Sequence, residues 1–314
     1  MTFPNLECVS RPIGVHSLDH FALNVPCLAA ARDFYATFGL DVREESEALV
    51  LRTYADPHPW AYLHQGARKS LKHVSFGAYA EDLALLMARV EAEGIQVQPA
   101  SVDMQGFWFT DPDGYRVEIR VAPKVTPDEK SSVSFESVPG GERGAPYRRH
   151  AAKVRPRRLS HILLFTQNLD RSIDFYSRVL GLRLSDRSAD IVAFLHAIHG
   201  ADHHTIAFVQ SESPGFHHCS WDVASVNEVG LGAMRMADNG WKEGWGFGRH
   251  VLGSNYFYYV RDPWGSYSEY SCDIDYVPAG IEWQAGNHPP EDSLYLWGPG
   301  VPPEFIINVE AKSA

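Results

Sequence analysis

The sequence predicts an α+β protein made of two homologous halves, each a pair of βαβββ modules. Three internal repeats lead to that expectation. LDHFALNVPCLAAARDFYATFGLDV (18–42) matches LSHILLFTQNLDRSIDFYSRVLGLRL (159–184), with His20 and His161 at the same place and Tyr35 and Tyr176 each 15 residues later. KHVSFGAYAEDLALLMARV (72–90) matches HHCSWDVASVNEVGLGAMRM (217–236). FTDPDGYRVEIRV (109–121) matches VRDPWGSYSEYSC (260–272), and in both the step from the Asp of Asp-Pro-x-Gly to the Glu is seven residues.

The elements follow in order. The first repeat reads as a short apolar strand, a helix, a Gly turn and another strand. In its second copy Leu169, Ile173, Tyr176 and Leu180 recur at helical spacing, and Gly181 stands where a left-handed C-cap is expected. The next repeat is a strand carrying a histidine, then an amphipathic helix. The third is a hairpin whose Asp-Pro-x-Gly turn returns to a strand bearing Glu118 or Glu269. These repeats set the expected domains at 1–122 and 158–276. Residues 123–157, polar and rich in Pro, Ser and charge, form a linker between them. Residues 277–314 form a tail whose Trp and Tyr residues call for packing on the body, over the functional site of the second half.

Bulk properties narrow the function. A formal net charge of -11 disfavours nucleic acid as a partner. No run reaches the ~18 consecutive apolar residues of a membrane span, and MTFPNLECVSRP has neither the basic nor the apolar region of a signal peptide. Cys8, Cys27, Cys219 and Cys272 are widely spaced, form no CxxC and are expected to be reduced thiols. A cytoplasmic location is the expectation. Fifteen histidines, several in pairs, ask for chemistry.

In the second half His161, His218 and Glu269 fall on three strands that the repeat makes equivalent. Two imidazoles and one carboxylate on one face of a metal leave coordination positions open, the arrangement of non-haem Fe(II) oxygenases. A structural zinc would more often recruit cysteine and close its shell.

The second half, with HTIAF (204–208), HHCSW (217–221) and GRHVLGSNYFYYVRDPWGSYSE (248–269), resembles the type I extradiol, catechol 2,3-dioxygenase-like enzymes of the vicinal-oxygen-chelate superfamily, whose fold is glyoxalase-like. The likeness spans roughly 15–121 and 158–277. Tyr258 departs from the family pattern, which has an aliphatic residue or Phe before the tyrosine. The resemblance implies His161, His218 and Glu269 as Fe(II) ligands, with Mn(II) as the alternative ion, and His218 rather than His217. It implies His204 as the acid/base histidine, with His203 as competitor, and His250 and Tyr259 as the pair that hydrogen-bonds substrate. The reaction implied is ring opening of a catechol or trihydroxy aromatic beside the diol, with O2 as co-substrate. Self-association into a homo-oligomer is implied as well, and the overall pattern is compatible with trihydroxytoluene-type ring-fission enzymes.

In the first half His20, His73 and Glu118 keep the three ligand places, and His58 falls near that of His204. Trp108 replaces Tyr259 and Pro99 replaces His250, so a vestigial, metal-free site is expected there. The substrate pocket is expected under the tail and under aromatics such as Trp221, Trp241, Trp245, Tyr256 and Phe257. Of the arginines in the signature run only Arg249 is an obvious partner for a charged ring substituent, which points to a neutral ring. Two other functions share the fold: a glyoxalase-like isomerase or epimerase, and a non-catalytic small-molecule binding protein.

Overall fold

The structure is a computed structural model in which residues 11–100, 105–135 and 137–311 are described. Cys8 lies outside the described residues; Cys27, Cys219 and Cys272 are free thiols.

Four βαβββ modules are present. The first half forms an eight-stranded sheet from strands between Ser17–Val25 and Arg116–Val121, and the second a nine-stranded sheet from strands between Arg158–Thr166 and Gly286–His288. In each sheet the first strands of the two modules lie side by side and antiparallel, Ser17–Val25 against Ser70–Ala78 and Arg158–Thr166 against Gly215–Asp222. Each is flanked by the last strand of a module in parallel pairing. Helix Leu169–Leu180 starts where the Asn168 side chain accepts from the Arg171 N–H. It ends where the Gly181 N–H closes on the Tyr176 carbonyl at φ 76°. A Cβ on Gly181 would sit 2.5 Å from the Ile13 carbonyl oxygen, so packing and φ both require glycine there.

The helices join the halves. Helix Leu28–Phe38 packs on Val226–Asp238, and Leu83–Ala92 on Leu169–Leu180. The buried hydrophobic cluster runs without interruption from one half into the other. Phe38 and Tyr270 stack with centroids 3.8 Å apart, and the Tyr270 hydroxyl donates to the Phe38 carbonyl.

Each Asp-Pro-x-Gly turn docks on the opposite half. Tyr115 places its hydroxyl between the Phe165 carbonyl and the backbone of Gly215. From the first half, Lys69, buried, reaches the Phe216 carbonyl, the Ser266 hydroxyl and Glu310 of the tail. Asp111 accepts the N–H groups of Asp113 and Tyr115 and meets the Tyr176 hydroxyl at 2.9 Å. Burial pushes the Asp111 carboxyl up to about 7, although the Tyr115 and Tyr176 hydrogen bonds pull the other way.

A carboxyl that binds its proton more tightly when folded contributes stability that is whole below its unfolded pKa and lost as pH rises through its folded one. Asp111→Asn is close in shape and never ionises. The stability of the native chain relative to D111N, followed by thermal melts, is therefore expected to fall by roughly 2–4 kcal/mol between pH ~4 and ~8. A difference that stays flat, or grows with pH, contradicts the assignment.

Candidate metal centre

Backbone register assembles the site. Ser220, on strand Gly215–Asp222, lies opposite His161 on one side and Glu269 on the other. His218 is two residues earlier, on the same face of the strand. His161, His218 and Glu269 are all buried, and each offers a ligand atom within 4.8 Å of the other two. Glu269 Oε2 is 3.3 Å from His161 Nε2 and 3.9 Å from His218 Nε2.

Hydrogen-bond partners decide which nitrogen of each ring carries a proton. Ser160 Oγ donates to Asp202 at 2.7 Å and so accepts the His161 Nδ1–H at 3.2 Å. The Phe305 carbonyl takes the His217 Nε2–H, leaving His217 Nδ1 to accept the His218 Nδ1–H at 2.7 Å. Both ligand candidates thus turn a bare Nε2 toward Glu269. The His218 Nε2 and Glu269 Oε2 atoms are buried and have no hydrogen-bond partner among the described residues. Asn255 holds the other carboxylate oxygen through its side-chain N–H at 3.1 Å.

Burial works to raise the Glu269 carboxyl, but the His161 and His250 rings outweigh it and hold it below the usual range. Burial, and then the neighbouring histidines, push His218 well below the ordinary histidine value. An imidazolium at His161 would answer Glu269 yet leave His218 Nε2 stranded. An unmet buried polar atom costs about 1–3 kcal/mol, more when charged, whereas a divalent cation satisfies all three donors at once. These residues fit a metal, and their nitrogen and oxygen chemistry suits Fe, Mn or Zn.

The other three candidates border the same space. The His204 ring lies over His161 with centroids 3.9 Å apart, and burial, followed by the neighbouring His161 and His203 rings, pushes it well below the ordinary value. His250 Nε2 meets the Tyr259 hydroxyl at 3.0 Å while its Nδ1–H donates to the Leu294 carbonyl. Burial, then Glu269, push Tyr259 well above the usual phenol range, so its hydroxyl stays protonated. Tyr259 lies opposite Glu269 in the sheet register.

A cavity of about 150 Å³ opens on these groups, a size that admits one six-membered ring. Leu163, Val192, Phe194, Val209 and Leu252 form its apolar wall, and the tail closes it with Pro290, Leu294, Phe305 and Ile306. The aromatics expected to roof the cavity lie elsewhere. Trp221 sits three residues after His218, on the opposite face and in the core. Trp241 packs on Phe34, and Tyr256 on Phe247 and Trp297. Trp245 and Phe257 stand behind the site, stacked on Tyr259 and His250 respectively.

Sequence reasoning missed Asn255, Ser160, Ser220 and the supporting role of His217. The doubled histidines were the available clue for His217; Ser and Asn carry none outside the fold. Arg249 is turned away, bonded to the Ser254 carbonyl and lying over Tyr256.

The first half repeats the register but not the arrangement. Ser75 lies opposite both His20 and Glu118. There, however, Ser75 donates to Glu118 Oε2 at 2.5 Å, and His20 and His73 bring their Nε2 atoms to 3.2 Å of each other. Trp108 lies opposite Glu118 and packs edge-on against His73, where the second half has Tyr259 and His218.

The chain matches the family described as the Glyoxalase/Bleomycin resistance protein/Dioxygenase superfamily over residues 17–119 and 158–270. It is 52% identical over 299 residues to Metapyrocatechase 2 of Cupriavidus necator, covering 95% of this chain and 93% of that one. It is 25% identical over 313 residues to the manganese-dependent 2,3-dihydroxybiphenyl 1,2-dioxygenase of Geobacillus genomosp. 3, covering 90% of this chain and 94% of that one. Among solved structures it resembles the Mn(II)-bound glyoxalase from Novosphingobium aromaticivorans, with TM-score 0.75, 27% identity and coverage of 93% of this chain and 94% of that one. With two paired-module sheets, a buried two-histidine, one-carboxylate cluster and a relative more than half identical along nearly its whole length, this chain belongs to the glyoxalase/bleomycin resistance protein/dioxygenase superfamily and, within it, to the extradiol ring-cleaving dioxygenases.

Proposed function

We propose that the chain opens neutral catechols beside the diol, using O2 and one Fe(II) held by His161, His218 and Glu269. The observation that carries this is the pair of bare imidazole nitrogens turned on a partnerless buried carboxylate oxygen. Fe(II) is favoured over Mn(II) because a two-histidine, one-carboxylate face with open positions is the ligand set of Fe(II) oxygenases, and Mn(II) in two relatives makes it the ion to test against. When bound, the ion supplies open positions for both diol oxygens and for O2 and passes electron density between them.

The protein's own groups do the rest. His204, its Nδ1 engaged with His203 at 3.1 Å, keeps Nε2 to take a proton from a diol hydroxyl and to return it to oxygen. His250 Nε2, bare because its Nδ1–H goes to the Leu294 carbonyl, accepts the Tyr259 O–H and holds it at the cavity edge, and that O–H turns to a ring oxygen and steadies charge there once substrate enters. The apolar wall excludes water and seats the ring. Among the described residues no arginine or lysine lines the cavity, so a carboxylate on the ring would be buried unpaired, at a cost of several kcal/mol. Both atoms of O2 enter the product as the C–C bond next to the diol breaks, giving an open-chain oxo-acid.

On this proposal residues 158–276 are the catalytic domain, 1–122 a non-catalytic partner, 123–157 the linker and 277–314 the wall of the pocket. Exposed Leu296, Trp297, Ile306 and Ile307 on the tail support assembly into a homo-oligomer. No helix among the described residues is long and apolar enough to cross a membrane, and the proposed setting is cytoplasmic catabolism of aromatic compounds.

Oxygen consumption after anaerobic loading tests the proposal, with uptake expected for Fe(II) and not for Zn(II). His218→Ala should lose bound iron and oxygen uptake together, as read by metal analysis and an oxygen electrode. Retention of full iron and rate would sink the ligand assignment. His204→Phe should keep its iron while kcat falls about 10²–10³-fold; an unchanged rate removes it from proton transfer. An alkylcatechol should exceed a carboxylated catechol at least tenfold in kcat/KM, and the reverse order would refute the neutral-ring pocket.

A further inference from the structure

His203 does not line the pocket and touches it only through His204. It is fully buried, and its two ring nitrogens have different partners. Nε2 lies 2.9 Å from Asp186 Oδ2, and Nδ1 lies 3.1 Å from His204 Nδ1. Asp186, on strand Arg183–Ser188, is surrounded by donors. Its Oδ2 also accepts from Trp283 Nε1 at 3.2 Å, and its Oδ1 accepts from the Gly286 N–H at 2.8 Å and from His288 Nε2 at 2.7 Å. Three of those partners belong to the tail, whose strand Gly286–His288 pairs with the Asp186 strand. Burial works to raise the Asp186 carboxyl, but the His203 and His288 contacts outweigh it and hold it at about 2, so it is an acceptor only.

The proton positions are set inward from Asp186, one atom at a time. A carboxylate that can only accept places the proton of His203 on Nε2. Neutral His203 therefore has a bare Nδ1, which can only accept, and the adjacent His204 Nδ1 must donate. The second nitrogen of His204 is left without a proton on the cavity side. The same logic governs His217 and His218, where the Phe305 carbonyl replaces Asp186. Two consecutive His-His pairs thus use an outer ring to dictate the tautomer of an inner one, as outer partners do for metal-bound histidines.

We infer that His203 and Asp186, clasped by Trp283, Gly286 and His288 of the tail, are positioning residues that lock His204 in the Nδ1–H tautomer and leave its Nε2 free to accept the substrate's proton. This rests on the acid/base part assigned to His204 above, but the tautomer is measurable without turnover.

Long-range 1H–15N spectra of the full-length chain, metal-free and Zn(II)-loaded, read the protonation of each ring nitrogen. In the native protein His204 should show a protonated Nδ1 and a bare Nε2. His203→Asn keeps an acceptor oxygen near the position of Nδ1, whereas His203→Leu removes it. H203L should move the His204 proton toward Nε2 and lower kcat at least about tenfold, with KM within about threefold. H203N should restore the native tautomer and most of kcat. A native His204 protonated on Nε2 overturns the inference, whether or not any variant folds. So does H203L with native spectra and rate, or H203N no better than H203L. A correct tautomer in a protein that opens no catechol would instead count against the proposed function alone.

Discussion

Three buried donor atoms that cannot satisfy one another are the constraint on which the rest of the structure turns. Two imidazole lone pairs and one carboxylate oxygen converge with no N–H among them. Without a cation their desolvation is a net cost, because an unpaired polar atom in the interior forfeits its water and receives nothing in return. The chain nevertheless fixes every proton that could relieve them. Ser160 holds the one on His161, His217 the one on His218, and Asn255 occupies the far side of Glu269. Strain of this kind is tolerated where a ligand resolves it, and the surrounding core is large enough to carry it.

The backbone explains how the same repeat serves two ends. In both halves a serine on a central strand registers a histidine on one neighbour and a glutamate on the other. The difference lies in side chains within a few ångströms. Ser75 donates to Glu118, the His20 and His73 nitrogens are drawn together, and Trp108 packs where a phenol would otherwise reach inward. Asp19 then takes the His20 Nδ1 at 2.7 Å. The first half packs on the second through its turns and helices. The tail completes the other side, supplying the Phe305 and Leu294 carbonyls to His217 and His250 and an apolar wall to the cavity.

Much of this architecture is legible in the amino acids because the repeats preserve what period and turn chemistry demand. The helices appear where Leu169, Ile173, Tyr176 and Leu180 recur, with Gly181 at the C-terminal cap as expected. His161, His218 and Glu269 come together because strand register is set by the same repeats, and His204, His250 and Tyr259 border the space they share. The pocket wall was not legible. Trp221 and Trp241 are the kind of residue that lines pockets, but sheet parity and helix packing place them in the core. Leu163, Val192 and Val209 look like ordinary strand interior and form the wall instead. Asn255, Ser160 and Asp186 act through partners distant in sequence, and nothing local in the chain marks such residues.

The proposed chemistry depends on where one ion sits. Anomalous diffraction at the iron edge, from crystals of the Fe(II)-loaded chain grown without oxygen, locates it directly. A single peak per chain, bounded by His161 Nε2, His218 Nε2 and the Glu269 carboxylate, is the predicted result. A peak elsewhere, or a second one of equal height beside His20 and His73, would contradict it.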